Sequence, residues 1–392
     1  MQCRGPAAAD GAPAGAVAHR RGPGAAPALR PVAHASLRGR RAGDRQRGGG
    51  MTKPGLAVIG CGMGAKPHGG ALRELSDRIE VRGVFARLPE RRAAFGAEYG
   101  LPVAESAKAL AADPEVKAAL ILTPPNARED LVRLFAGAGK HIVSEKPLER
   151  TEAAARQIVG ICEDAGVQLG VVFQHRFREA SERLATMLAE GALGPIRALR
   201  VEVPWWRDQA YYDEPGRGTY GRDGGGVLIS QAIHTLDLML SLTGPVASVQ
   251  AMAATTAFHR MEAEDFVAGG LRFANGAVGS LMATTAAYPG EAESIRLDCD
   301  KGSVLLKSGT LTIDWRDRDQ EVIGESATTG GGADPMAFPH DWHRDLIADF
   351  MEAAQTGRAP RVTGRDALQV HQLIAALERS SAEGRRIDID QG

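Results

Sequence analysis

No apolar run in this chain of 392 residues approaches the ~18 needed to cross a bilayer, so no membrane-spanning helix is expected. Cysteine is scarce. Cys3, Cys61, Cys162 and Cys299 stand far apart without CxxC or CxxH spacing, which argues against a zinc site or a disulfide framework and fits a reducing cytoplasm. No metal site is expected. Net charge is nearly absent as well: 47 Lys and Arg against 48 Asp and Glu leave −1, with no general basic surface for nucleic acid. Aromatic residues make up only 5% of the chain, so a segment that concentrates them stands out. What is present is an ordinary hydrophobic content of 44%, in a chain long enough for two cores.

Residues 1–50 lack lysine and any hydrophobic period. Ala, Gly, Pro and Arg dominate, and nine arginines against Asp10 and Asp44 give about +7, leaving about −8 on residues 51–392. Such a segment buries too little surface to offset its ordering entropy, so disorder is expected. It has no compact apolar core of a secretory signal. An Arg-rich transit peptide and a nucleic-acid-binding arm are secondary readings. "MTKPGLAVIG" from Met51 reads as a natural start, which makes residues 1–50 an over-extended reading frame or a disordered extension. The folded part divides into 51–172 and 173–392.

"GLAVIGCGMGAKPHGGAL" places a short apolar strand before a glycine-rich turn and a helical pattern. Gly60, Gly62 and Ala65 fit G-x-G-x-x-A: a tight turn, a close backbone approach to a pyrophosphate, and close helix–strand packing. The helix start offers unpaired N–H groups to phosphate. Met63 lies within the same turn. The second strand, "EVRGVFA", ends at Ala86 and Arg87 where an NAD-preferring unit carries an acid for the ribose hydroxyl. A guanidinium in place of a carboxylate suits a 2′-phosphate, so NADP is the preferred cofactor and NAD the alternative. Strands "VKAALILT", "KHIVSEKPL" and "VQLGVVFQHRF" then alternate with helices, one of them from Thr151 to Ala165, as in a doubly wound parallel sheet whose ligands lie at the strands' carboxyl ends. Thr123, Pro124, Asn126, Glu145, Lys146 and Gln174 fall at such ends.

"VIGCGMGAKPH", "LTPPN", "SEKPL", "FQHRF", "GGGVLISQAIHTLDLM" and the tail from His340 to Ile389 together resemble the glucose–fructose oxidoreductase / inositol dehydrogenase / MocA family over nearly all of residues 51–392. The resemblance implies an N-terminal Rossmann domain followed by an α/β domain on a large, mostly antiparallel open sheet, whose exposed face commonly makes dimers or tetramers. It implies that Lys146 reaches the nicotinamide ribose and the substrate, and that His234 acts on the substrate hydroxyl. Many members place Asp four residues before that histidine; here the residue is Ser230, so no carboxylate is expected to assist the relay from that position.

The residues support the second domain independently. "DFVAGGLRFANGAVGSLMATTA" reads as a hairpin with a tight I′ turn at Asn275-Gly276. "SIRLDC", "GSVLLK" and "TLTIDW" follow as a meander, and helices are expected near His340–Ala354 and Arg365–Ser381. The loop "VPWWRDQAYYDEPGRGTYGRDGGG" gathers Trp205, Trp206, Arg207, Tyr211, Tyr212, Arg217 and Tyr220. Aromatic faces suit a sugar ring and arginines a carboxylate or phosphate. A similar Arg…Tyr-Tyr…Arg-Gly-Thr run occurs in family members that act on nucleotide-sugar acids.

Proton transfer is assigned to His234, assisted by Lys146, with a base titrating near neutrality and a lysine depressed beside the cofactor. Ser230 and His234, at i and i+4, are expected to share a helix face. Arg176, Trp206, Arg207, Tyr212, Arg217 and Ser230 are the expected substrate contacts, and Asp237 is read as structural. The expected function is an NAD(P)-dependent oxidoreductase acting on a secondary alcohol of a sugar, cyclitol or sugar acid. The alternatives are a glycosidase with tightly held NAD and a non-catalytic, dinucleotide-responsive regulator.

Overall fold

Continuous apolar runs make strands buried on both faces, and β1 (Gly55–Ile59) is buried at every position. It pairs in parallel with β2 (Glu80–Phe85) and β3 (Val116–Ile121), and β4 (His141–Ser144) and β5 (Leu169–Val171) extend the sheet in the order β2-β1-β3-β4-β5. The computed structural model describes residues 53–325 and 339–390; residues 1–50, read above as a disordered or over-extended segment, lie outside them. Helices α1 (Lys66–Glu74), α2 (Pro89–Tyr99), α3 (Ala107–Ala112), α4 (Glu129–Gly137) and α5 (Glu152–Asp164) make the connections. Ser106 and Thr151 cap α3 and α5 by accepting from the backbone N–H of Ala109 and Ala154. The strand order reverses between β1 and β3, the switch point at whose carboxyl ends sheets of this kind bind their ligands.

After α6 (Glu179–Ala189) the chain builds the second sheet. Its members are β6 (Ile196–Pro204), β7 (Val246–Ala254), β8 (Phe266–Phe273), β9 (Val278–Thr284), β10 (Ser294–Cys299), β11 (Gly302–Lys307), β12 (Thr310–Trp315), β13 (Glu321–Ile323) and β14 (Ile387–Asp388). The order is β13-β12-β11-β10-β6-β9-β8-β7-β14, antiparallel except between β6 and β9. Leu199, Val201 and Val203 of β6 are buried while Arg200 and Glu202 are exposed, the period-2 pattern of a sheet with one covered face. The single turn α7 (Gln209–Tyr212) and the apolar α8 (Ile233–Thr243) lie between β6 and β7.

Two local expectations are corrected. "VQLGVVFQHRF" is a strand only from Leu169 to Val171; Gln174–Phe177 turn into a 3-10 segment. The β8–β9 hairpin is not a two-residue I′ turn. Phe273 N donates to Ala277 O and Gly276 N to Phe273 O, Gly276 has φ +89°, and Asn275 is not left-handed. This is a three-residue loop with glycine in the left-handed position, the arrangement that ends a type I turn in a bulge.

The last helices, α9 (Asp341–Thr356) and α10 (Gly364–Glu383), return to the first sheet. Phe350 of α9 lies so close to Gly170 of β5 that an added Cβ would meet its ring at 2.5 Å. Val171 N donates to Val362 O, and Thr363 caps α10 in a reciprocal box with Asp366. Phe350 is 1% exposed, so Phe350→Ala should lower the unfolding free energy by about 3–5 kcal/mol in denaturant titration. A loss below about 1 kcal/mol would mean that α9 is not part of the first sheet's core.

Candidate active site

The loops at the carboxyl edge of the first sheet carry most of the residues singled out above. Gly60 is held by its N–H to Phe85 O at 2.8 Å, and with φ +110° an added Cβ would meet the Leu122 carbonyl carbon at 2.9 Å. Gly62 faces open space, Met63 is exposed and Ala65 is buried against the core. The first turn of α1 holds no acid, and Thr123 Oγ1 is enclosed without a hydrogen-bond partner. Pro124 and Asn126 are exposed just beyond it, and Arg87 is exposed just past β2. An open glycine turn, a helix start free of negative charge and an orphaned hydroxyl fit the phosphates and ribose of a dinucleotide.

After β4, Glu145 accepts from the backbone N–H of Lys146 (2.9 Å) and pairs with His68 Nε2 of α1 (2.8 Å). Burial pushes its carboxyl up, but the His68 hydrogen bond and the Lys146 charge outweigh this and hold it at about 2. His343 of α9 packs edge-on against His68 at 4.9 Å. The ligand atoms of His68, Glu145 and His343 lie within 4.8 Å of one another, but the contact that defines the group is the hydrogen bond orienting Glu145. Arg128 was not singled out from sequence. Buried at 2% exposure, it donates to the carbonyls of Thr123, Glu145 and Pro147, so one guanidinium pins the loops after β3 and β4 together. Burial pushes it down to about 10.

Lys146 reaches across to the segment between β6 and β7, where Nζ donates to the Ser230 carbonyl at 2.9 Å. Burial pushes the ammonium down from its usual range, with the Glu145 carboxylate pulling against the effect. Ser230 lies in a π-helical turn, Leu228–Ala232, that runs directly into α8. The wider i→i+5 register departs from the i, i+4 alignment expected for Ser230 and His234, and the contact made is through the Ser230 backbone. His234 is 8% exposed, with Nδ1 enclosed and unpartnered. Burial, then the charge of Lys146, holds it well below the usual imidazole range.

The aromatic loop closes over this side. Arg207 is buried between Trp205 (5.3 Å) and Tyr211 (5.6 Å) and donates to Trp206 O, and Arg217 lies over Tyr211 at 4.7 Å while pairing with Glu214. Gln231 of the π turn donates to the Tyr211 hydroxyl at 3.2 Å, which ties the loop to the His234 helix. Trp206 packs against Phe258, His259 and Tyr288. Tyr212 and Arg176 are placed differently. The Tyr212 hydroxyl is 2.6 Å from Thr285 Oγ1, and Arg176 is engaged on all edges, by Asp237 at 2.6 and 2.8 Å and by the Arg361 carbonyl. Arg176 is thus a strut between the segment after β5 and α8. His259, also missed from sequence, braces the loop from within: its ring nitrogens are 2.6 Å from Asp265 and 2.8 Å from the Arg207 carbonyl.

Comparison with known proteins bears on the whole arrangement. Residues 55–173 match the model of the oxidoreductase family with an NAD-binding Rossmann fold, and residues 181–305 match the GFO/IDH/MocA C-terminal domain. The WlbA dehydrogenase of Bordetella pertussis, solved with NADH and UDP-GlcNAcA, is 31% identical with a TM-score of 0.73, covering 87% of this chain and 100% of that one. The chain belongs to the Gfo/Idh/MocA family of oxidoreductases. Relatives at lower identity include 1,5-anhydro-D-fructose reductase of Ensifer adhaerens (27%, 80% of this chain and 92% of that one). A D-xylose 1-dehydrogenase (NADP(+)) of Haloferax volcanii is 26% identical over 79% and 92%. This Gfo/Idh/MocA chain is therefore an NAD(P)-dependent oxidoreductase.

In this family member the entry to the His234 helix is clamped by an acid. Glu264 accepts from the N–H groups of Gly226 and Leu228, and an added Cβ on Gly226 would meet the Glu264 carbonyl at 1.7 Å. Glu378 of α10 lies alongside with Oε1 enclosed and unpartnered, and burial, then Glu264, pushes its carboxyl up to about 7. A raised folded pKa means that the native state binds the extra proton, so stability falls as pH rises from the ordinary carboxyl range through about 7. Glu378→Gln should flatten that decline and raise the melting temperature at pH 8 more than at pH 5. An equal change at both pH values would show that Glu378 does not carry the effect.

Proposed function

We propose that this protein moves a hydride between NADP(H) and a secondary alcohol of an anionic sugar derivative, a sugar acid or a nucleotide-linked sugar acid. The observation that carries the reading is the meeting of Lys146 with the Ser230 turn, beside a neutral His234 and next to a loop holding Arg207 and Arg217. The nicotinamide, when bound, supplies the hydride chemistry. Gly60, Gly62, Met63, Ala65, Thr123, Pro124, Asn126 and Glu145 would hold the dinucleotide. His234, neutral in its pocket, takes the hydroxyl proton in oxidation and returns it in reduction; the Lys146 ammonium donates to the same oxygen and stabilises the charge that develops there. Trp206, Arg207 and Arg217 would orient the sugar and its anion. The solved relative bound to UDP-GlcNAcA supports an acidic sugar substrate. The bare Arg87 after β2 and the NADP(+)-dependent xylose dehydrogenase support the phosphorylated cofactor. The exposed β6–β9 face supports a homodimer or homotetramer, and the scattered cysteines a cytoplasmic location. Among the described residues no helix is long and apolar enough to cross a membrane.

Two measurements test this. Lys146→Met and His234→Ala should each lower turnover on a verified sugar-acid substrate by about 10²–10⁴-fold, and His234→Ala should leave nucleotide binding within a few-fold; full turnover by His234→Ala would remove it as the base. In fluorescence titration NADPH should bind at least tenfold more tightly than NADH, about 1.4 kcal/mol, and Arg87→Ala should abolish the difference. A preference for NADH would overturn the reading of Arg87.

A further inference from the structure

His234 does not stand alone in its pocket. Its ring stacks on that of His175, with centroids 5.0 Å apart and planes 29° from parallel. His175 Nε2 lies 2.6 Å from Arg178 Nη2. Arginine offers only donors, so Nε2 accepts and the neutral ring carries its proton on Nδ1. Arg178 is pinned in turn: Nη1 donates to Glu293 Oε1 at 2.7 Å, and its guanidinium lies 4.5 Å over the Trp342 ring. His175, Arg178 and Glu293 are each at most 6% exposed. With Thr235 they line a small cavity, and His175 Nδ1, Arg178 Nε, Glu293 Oε2 and Thr235 Oγ1 are enclosed without a partner. A buried ion pair is a poor source of stability in itself. What this one supplies is a fixed donor aimed at one ring nitrogen, one step from His234.

We propose that Arg178, anchored by Glu293, is a positioning residue: it fixes the tautomer and orientation of His175, and through that stacked ring and its own charge it governs when His234 takes up a proton. The assignment of the proton-transfer step itself rests on the function proposed above. The ionisable groups facing His234 are Lys146 after β4, His343 on α9, and His175 and Arg178 after β5; Phe173 closes the pocket with a ring edge at 5.9 Å. No acid is among them, and Glu293 is paired with Arg178. Removing Arg178 therefore raises the midpoint of His234. Removing the Glu293 charge leaves Arg178 uncompensated and lowers it. A merely structural ion pair would not split the two variants in opposite directions.

The experiment is a pH titration of the full-length protein, labelled with ¹⁵N-histidine and followed by NMR. The wild type should show His175 as the Nδ1–H tautomer and His234 neutral at pH 7. Arg178→Met should raise the His234 midpoint by a shift the titration resolves and move the acid limb of kcat/KM for alcohol oxidation with it. Glu293→Gln should shift both the other way. An Nε2–H His175 in the wild type, or a His234 midpoint unmoved in Arg178→Met, would overturn the proposal. If Arg178→Met does not fold, the wild-type tautomer and the near-isosteric Glu293→Gln decide. Should His234→Ala keep full turnover while these NMR shifts move as stated, the proton-transfer assignment fails and the role of Arg178 toward His234 stands.

Discussion

The hydrogen bond from Lys146 Nζ to the Ser230 carbonyl is the contact on which the site depends. It joins the carboxyl edge of the first sheet to the helix that carries His234, and each end needs its own preparation. On the lysine side, Arg128 gathers the carbonyls of the β3 and β4 loops and Glu145 is tied to His68 of α1, so the turn bearing Lys146 is over-determined. On the other side, the π turn takes Ser230 out of a regular helical register and presents its carbonyl. π turns are energetically poor as helix and recur at functional sites, where they re-aim a backbone group.

Buried cations crowd this junction. Lys146, Arg128, Arg207 and Arg217 all lie near it, and burial pushes Lys146, Arg128 and Arg207 below their usual ranges. Desolvating cations costs several kcal/mol each unless they are paired. Here the compensation is mixed: Arg128 donates to backbone carbonyls with Glu145 and Glu149 nearby, the Glu145 carboxylate lies beside Lys146, and Arg217 pairs with Glu214.

The legibility of the sequence follows the range of the interactions involved. The alternation of strands with helices, the glycine turn and the meander from Ser294 to Trp315 are local patterns, and the structure shows them at nearly the expected residues. The strand ends that carry Thr123, Glu145 and Lys146 follow from the same alternation. The π turn was hidden because its residues, "LISQA", fit an ordinary helical pattern. The I′ hairpin was misread because Asn-Gly also serves a three-residue loop, and only the pairing of Phe273 with Ala277 separates the two. Arg128, His68 and His259 went unnoticed since each acts on a group brought near only by folding; His68 and Glu145 are 77 residues apart. Arg176 was weighed as a substrate contact because its partner Asp237 is 61 residues away.

Asp237 also explains how a helix as apolar as α8 can hold an imidazole in place. The histidine's own hydrogen bonds do not fix it, for Nδ1 has none. The helix is fixed instead at three points: Glu264 at its entrance, Lys146 on the Ser230 carbonyl, and Arg176 clasping Asp237 one turn beyond His234. Asp237 is fully buried, and burial pushes its carboxyl up to about 6 even against the Arg176 charge. With the backbone held this way, the ring needs only packing, from Phe173 at its edge and His175 on its face. One ring nitrogen, Nδ1, is left unsatisfied by the fold, in keeping with the proton transfer proposed for His234.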